Sequence, residues 1–250
     1  MSSRSILALS VLCLAAAIIL WSMAEPLQAA DASTLFQCAR QQWQRNQAAY
    51  SDYQCTMTSD RKVWHLNGEL ERHNVLVKRV YFKPPNMRRE VFISGTMNDE
   101  PAQKKDFIFE RLGLDNSLSV GDLELFRIGA EQQFAYEAPG IKTRAGEQFE
   151  VLKFRSLQPK KTELQQGRLF LDPDTCMLRR IEGEVINRLV QTNRMKFSMD
   201  FSQVRPDVWL PSQMTIEGVV KMVLMKRKTF TRNVFSDYRL DLGLSDELFD

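Results

Sequence analysis

Between Asn193 and Phe201 the chain alternates with a period of two. Met195, Phe197, Met199 and Phe201 are apolar, and Arg194, Lys196, Ser198 and Asp200 between them are polar or charged. Successive side chains of a strand point to opposite faces of a sheet, so this segment predicts a strand with one dry face and one wet face. The same alternation recurs at Lys105–Glu110, where Phe107 and Phe109 share a face. It recurs again at Val208–Ile216, where Val208, Leu210, Met214 and Ile216 share one. Val219–Tyr238 reads as a long or bulged strand. Asn67-Gly68 is a strong hairpin signal. Asp172-Pro173-Asp174-Thr175 is a turn between Leu169–Leu171 and Met177–Val185. The expected fold class is mainly β and antiparallel.

One segment has helical spacing. Leu35, Phe36, Ala39, Trp43 and Tyr50 recur at steps of three, four or seven, with Ser33 as the expected cap and an end near Ala49. Gln37, Arg40, Gln41, Gln44 and Arg45 form its polar face, so the helix must lie on something apolar. Ser119–Glu131 reads as a short helix or lid-like loop, and Ser245–Phe249 as a capped last turn. No Pro/Gly-rich linker divides the chain, which predicts one domain over 31–250.

The N-terminus has the order of a secretory signal peptide. Arg4 precedes an apolar run from Ile6 to Trp21 broken only by Ser10, then come Pro26 and the small residues Ala29, Ala30 and Ala32. The expectation is a signal peptide over 1–30, cleaved within Ala29–Ala32, and a periplasmic protein. Cys13 lies too early in the run and follows the large Leu12, which argues against a lipidated N-terminus. The exported chain keeps Cys38, Cys55 and Cys176 in a compartment where disulfides persist. Cys38 and Cys55 are the candidate pair, stapling helix to sheet and leaving Cys176 a thiol. The alternative is that all three are small buried apolar residues.

Recognisable reaction chemistry is absent from the sequence. Net charge is +3, with basic residues spread along the chain, which argues against a nucleic-acid partner. His65 and His73 flank the Asn67-Gly68 turn without ligand-spaced neighbours, and no metal, phosphate-loop or nucleophile motif occurs. No metal, no cofactor and no catalytic residue is expected, and the protein is read as a non-enzyme. A hydrolase using carboxylates brought together from distant strands is the rival from another class. Lys226-Arg227-Lys228, Arg88-Arg89 and Arg179-Arg180 read as a solvated sheet face or, alternatively, as contacts to anionic lipid headgroups. What distinguishes the strands is soft apolar content: Met87, Met195, Met199, Met214, Met222 and Met225 beside 15 phenylalanines. Methionine adapts to ligands of varied shape. A one-sided sheet covered by a helix leaves an apolar face that can be filled or can hold an acyl chain. The expected cavity lining is Phe82, Phe107, Phe109, Met195, Phe197, Met199, Met214 and Met222.

Three stretches carry a family resemblance. YFKPPNMRREVF (81–92) resembles the early strand-turn-strand element of LolA-type outer-membrane lipoprotein-sorting proteins. GRLFLDPDTCMLRRIEGEV (167–185) resembles their hairpin with an Asp-Pro-x-Thr turn. FSDYRLDLGLSDELF (235–249) resembles their closing strand and short helix. The resemblance implies an unclosed antiparallel β-barrel curved around a hydrophobic cavity, with the N-terminal helix and short helices as a lid. It implies a periplasmic carrier, acting as a monomer, that binds lipid or lipoprotein acyl chains and passes them between a membrane transporter and an outer-membrane acceptor. An envelope-stress sensor or regulator binding lipoproteins is the alternative within the family. This chain departs from the family pattern where the best-known carriers place a lid-latching arginine before Pro-Asn: Pro84 stands there, preceded by Lys83, and Arg88 is expected to have a different, structural job.

Overall fold

A computed structural model describes residues 31–103, 105, 124–126, 129–158, 164–185, 195–222 and 225–249. The predicted signal peptide, most of the 119–131 segment, Phe107 and Phe109 lie outside the described residues, as does the side chain of Met222.

Among the described residues one α-helix, α1 (Ala32–Ala48), precedes eleven strands: β1 (Tyr53–Trp64), β2 (Leu70–Lys83), β3 (Met87–Met97), β4 (Glu100–Pro101), β5 (Phe134–Arg144), β6 (Glu147–Ser156), β7 (Leu164–Leu171), β8 (Leu178–Val185), β9 (Met195–Arg205), β10 (Val208–Met222) and β11 (Met225–Leu240). They form one antiparallel sheet in the order β4-β3-β2-β1-β11-β10-β9-β8-β7-β6-β5. β4 and β5 are its two edges and do not pair, so the sheet is an open barrel. Consecutive strands are neighbours throughout except β4 and β5, which lie at opposite edges; β1 also pairs with β11, which joins the first strand to the last.

Asp31, not Ser33, caps α1. Its carboxylate accepts the N–H groups of Ser33 and Thr34 at 2.7 and 2.9 Å, satisfying two of the donors a helix start leaves open. At 17 residues the helix is about 25 Å long. Six strands at about 4.8 Å spacing span a similar distance. The contacts show that the helix uses this length to cross the strands. Phe36 stacks on Tyr136 of β5 at 4.0 Å. Trp43 meets Phe201 of β9 edge-on at 5.7 Å. Asn46, buried near the C-terminal end, donates to the Trp209 carbonyl on β10 at 2.9 Å and accepts the Trp209 N–H at 2.6 Å.

This crossing corrects the expected disulfide. Cys38 bonds Cys176 in the β7–β8 turn (Cα–Cα 5.8 Å), and Cys55 is a buried free thiol on β1. Cys38 lies in the half of the helix that passes over β7 and β8, whereas β1 lies beyond the helix's C-terminal end. The bond closes a loop across 138 residues, worth about 5 kcal/mol in the chain-entropy account.

The C-terminal segment is tied to the same end of the sheet. Buried Asp52 accepts the N–H groups of Leu242 and Leu244 at 2.7 and 3.0 Å. Lys83 donates to the Leu244 carbonyl at 3.0 Å and pairs with Asp246. Lys83, next to the Pro84 that stands at the expected latch position, is therefore a strut to the chain's own C-terminal turn, the 3-10 turn Asp246–Phe249. Asp172 accepts from the N–H groups of Asp174 and Thr175 and from the Thr175 hydroxyl, which is turn chemistry as expected.

Candidate functional site

The register assigns each strand residue to a face, and α1 marks the inner one. Met199 pairs with Met214 on one side and Ile181 on the other; Ile181 continues to Leu169, and Leu169 to Leu152. All five are buried to within 4% of complete. The next row runs Ile216, Phe197, Gly183, Gly167, Phe154. The glycines are there for the rings. A Cβ on Gly167 would stand 2.6 Å from Phe154 Cζ and collide with the Glu182 carbonyl oxygen, and one on Gly183 would stand 2.8 Å from Phe197 Cε1. Gly218 gives way in the same manner to Met195. The β6–β10 part of the inner face is thus a dry wing, closed by α1 through Leu35, Phe36, Ala39 and Trp43, with Phe126 stacked on Trp43 at 5.4 Å.

Four of the predicted lining residues, Met195, Phe197, Met199 and Met214, come together here on β9 and β10. Phe82 does not join them. It is buried on the inner face of β2, stacked on Tyr53 at 5.0 Å, four strands from β9.

Around Phe82 the same face changes character. On β11, β1 and β2 the inward residues include Thr229, Thr231, Asn233, Ser59 and Asn74, all at most 8% exposed. Asn233 Oδ1 is buried without a protein partner. Beyond them, Lys78 of β2 and Arg88 of β3 share one carboxylate, Glu90, at 3.0 and 2.6 Å. These three side chains are 18–19% exposed. Burial raises the Glu90 carboxyl, but the two cations outweigh it and hold it below its ordinary value. Burial pushes the nearby Cys55 thiol up to about 12, so it stays protonated and behaves as a small hydrophobe. Tyr53 and Tyr238 beside it are likewise pushed up by burial. Sequence alternation missed the polar wing because its outward neighbours, such as Phe230 and Val234, are themselves apolar, so neither face declares itself.

The opposite face carries charge in register. Lys153, Arg168, Glu182, Ser198 and Thr215 form one row, and Arg155, Gln166, Glu184, Lys196 and Glu217 the next. A hollow of about 560 Å³ lies between them. Its mixed signs suit water and ion pairs, not an acyl chain. His73 is not a free hairpin histidine: its ring sits 3.0 Å from Asp60 and 3.5 Å from Asp99. Among the described residues no group of three or more His, Cys, Asp or Glu is placed to hold a metal ion.

An open eleven-stranded sheet with a helix laid across its dry face has solved counterparts. One is an outer membrane lipoprotein-sorting protein domain from Vibrio parahaemolyticus, 12% identical over 88% of this chain and 97% of that one, with a TM-score of 0.51. The chain has a LolA-like fold. A DUF1329 family protein from Desulfovibrio piger is 14% identical over 88% and 97% of the two chains, with a TM-score of 0.47. The Pseudomonas aeruginosa MucA/MucB complex aligns at 10% identity over 82% and 99%, with a TM-score of 0.20. The last two scores are too low to carry an argument. No family model matches the sequence, and no curated protein matches it. Within the LolA-like sheet, the dry wing under α1 is the candidate site, and the polar wing is its border.

Proposed function

We propose that this protein is a periplasmic carrier that holds the acyl chains of a lipid or lipoprotein against the dry wing of its sheet, beneath α1. The observation that supports this most is the row Met214, Met199, Ile181, Leu169, Leu152, a continuous apolar band across five strands with a helix bound over it. Three methionines, Met195, Met199 and Met214, stand in or beside that band. Their unbranched side chains can change rotamer to admit a chain where branched residues would resist. Each methylene that leaves water or membrane for this band contributes about 0.8 kcal/mol. The LolA-like fold agrees with such a role, and so does the Cys38–Cys176 bond, which suits an oxidising envelope compartment. The signal peptide expected at 1–30 would take the chain there. Transfer needs no covalent step: cargo passes from a membrane donor to an acceptor of higher affinity. Native mass spectrometry of protein purified from its host envelope should show lipid-sized mass additions that organic extraction removes. A clean apo mass, with no uptake of added palmitate, would contradict the proposal.

A further inference from the structure

β3 is folded inside out relative to the rest of the sheet. Its outward residues Val91 and Ile93 are 40% and 47% exposed, while Arg88 and Glu90, paired with the buried Phe82 and Val80, face inward. Inward charges are one way to protect a sheet edge from pairing with another molecule. Edge protection does not account for Lys78, which lies on β2, a strand paired on both sides. Nor does it account for the charge count, two cations against one carboxylate. An interior that buries unbalanced charge is costly unless an opposite charge completes it. Arg88 is also incompletely used: Nη2 donates to Glu90 at 2.6 Å, while Nε is buried without a protein partner. Nη2 also reaches Met57 Sδ at 4.0 Å, so the guanidinium keeps one unused N–H, on the side chain that is best suited to oxyanions.

We propose that Arg88 and Lys78 form an anion site on the inner face that takes the carboxylate or phosphate head of an acyl amphiphile whose tail lies on the dry wing. This rests on the carrier reading above. In the register Lys78 stands beside Met57 and then Phe235, and the adjoining row runs Leu76, Ser59, Asn233 with its unpartnered oxygen, Met214 and Met199. Five strand spacings separate the charged cluster's edge strand β3 from the methionines of β9, with buried apolar side chains beginning beside the cluster itself at Met57, Val80 and Phe82. At about 4.8 Å per spacing that is about 24 Å, the scale of a long-chain amphiphile from head to tail. Glu90 holds the two cations in place while the site awaits its ligand and leaves one positive charge for it.

The test is equilibrium binding of three probes with the same tail to the purified protein: palmitate, palmitoyl-lysophosphatidylglycerol and uncharged monopalmitoylglycerol. At least one oxyanion probe should bind about tenfold or more tighter than the uncharged one. Preference for the lysophospholipid alone assigns a phosphate, for palmitate alone a carboxylate, and either outcome supports the site. Arg88→Met should erase the preference without weakening monopalmitoylglycerol, and Glu90→Gln should enlarge it. Equal binding of all three probes overturns the anion site and leaves the carrier reading standing; no binding of any probe overturns both. Self-association of Arg88→Met with the preference intact makes Arg88 an edge guard and overturns the proposal. Should Arg88→Met not fold, Lys78→Met and Glu90→Gln decide, and a preference unmoved by both overturns it.

Discussion

On β9 the residues that turn inward are Met195, Phe197, Met199 and Phe201; on β11, two strands away, they are Thr229, Thr231, Asn233 and Phe235. Both sets are buried, and both belong to one continuous face. On β9 each inward side chain stabilises by leaving water, about 1.5–3 kcal/mol for a large apolar group. On β11 burial works against the chain at Asn233, whose Oδ1 is buried without a protein partner, at a cost of about 1–3 kcal/mol. Burial alone therefore does not make a surface a core. The dry wing is shaped by packing, down to glycines removed from the path of phenylalanine rings. The polar wing is not shaped by apolar packing alone, and in the proposed anion site its groups serve a ligand's head.

That contrast can be broken by mutation. The largest effect is expected in the dry wing at Gly167, where a single added carbon meets backbone as well as the Phe154 ring. Gly167→Ala should cost about 3 kcal/mol or more, read as a fall in urea midpoint with the slope unchanged. A loss under about 1 kcal/mol would mean that the rows are not packed against one another as described. The smallest effect is expected in the polar wing. Asn233→Leu removes an unpartnered acceptor and should leave stability unchanged or raise it by up to about 2 kcal/mol. A loss above about 2 kcal/mol would show Asn233 to be a structural hydrogen-bonding residue, and the distinction between the wings would fail there.

How much of this the sequence carried follows the same line. β9 was legible because from Met195 to Phe201 every inward residue is apolar and every outward one polar or charged. The Asn67-Gly68 hairpin, the Asp172 turn and the amphipathic helix were legible because their signals are local. The disulfide was not. Which cysteine Cys38 meets depends on the direction in which α1 crosses the strands, set by distant contacts such as Asn46 with Trp209. β3 was not legible either, since charged and apolar residues alternate there with the faces exchanged. Phe82 was grouped with the β9 residues because residue type says nothing of which strands are neighbours; β2 and β9 are four places apart.

The most direct measurement is the position of a bound chain. Palmitate carrying a diazirine near its methyl end can be photo-crosslinked to the protein and the adducts mapped by peptide mass spectrometry. Adducts on β9 and β10, centred on Met195, Met199 and Met214, are the predicted result. Adducts confined to the charged face around Lys153 and Arg168, or none that excess unlabelled palmitate competes away, would contradict the account.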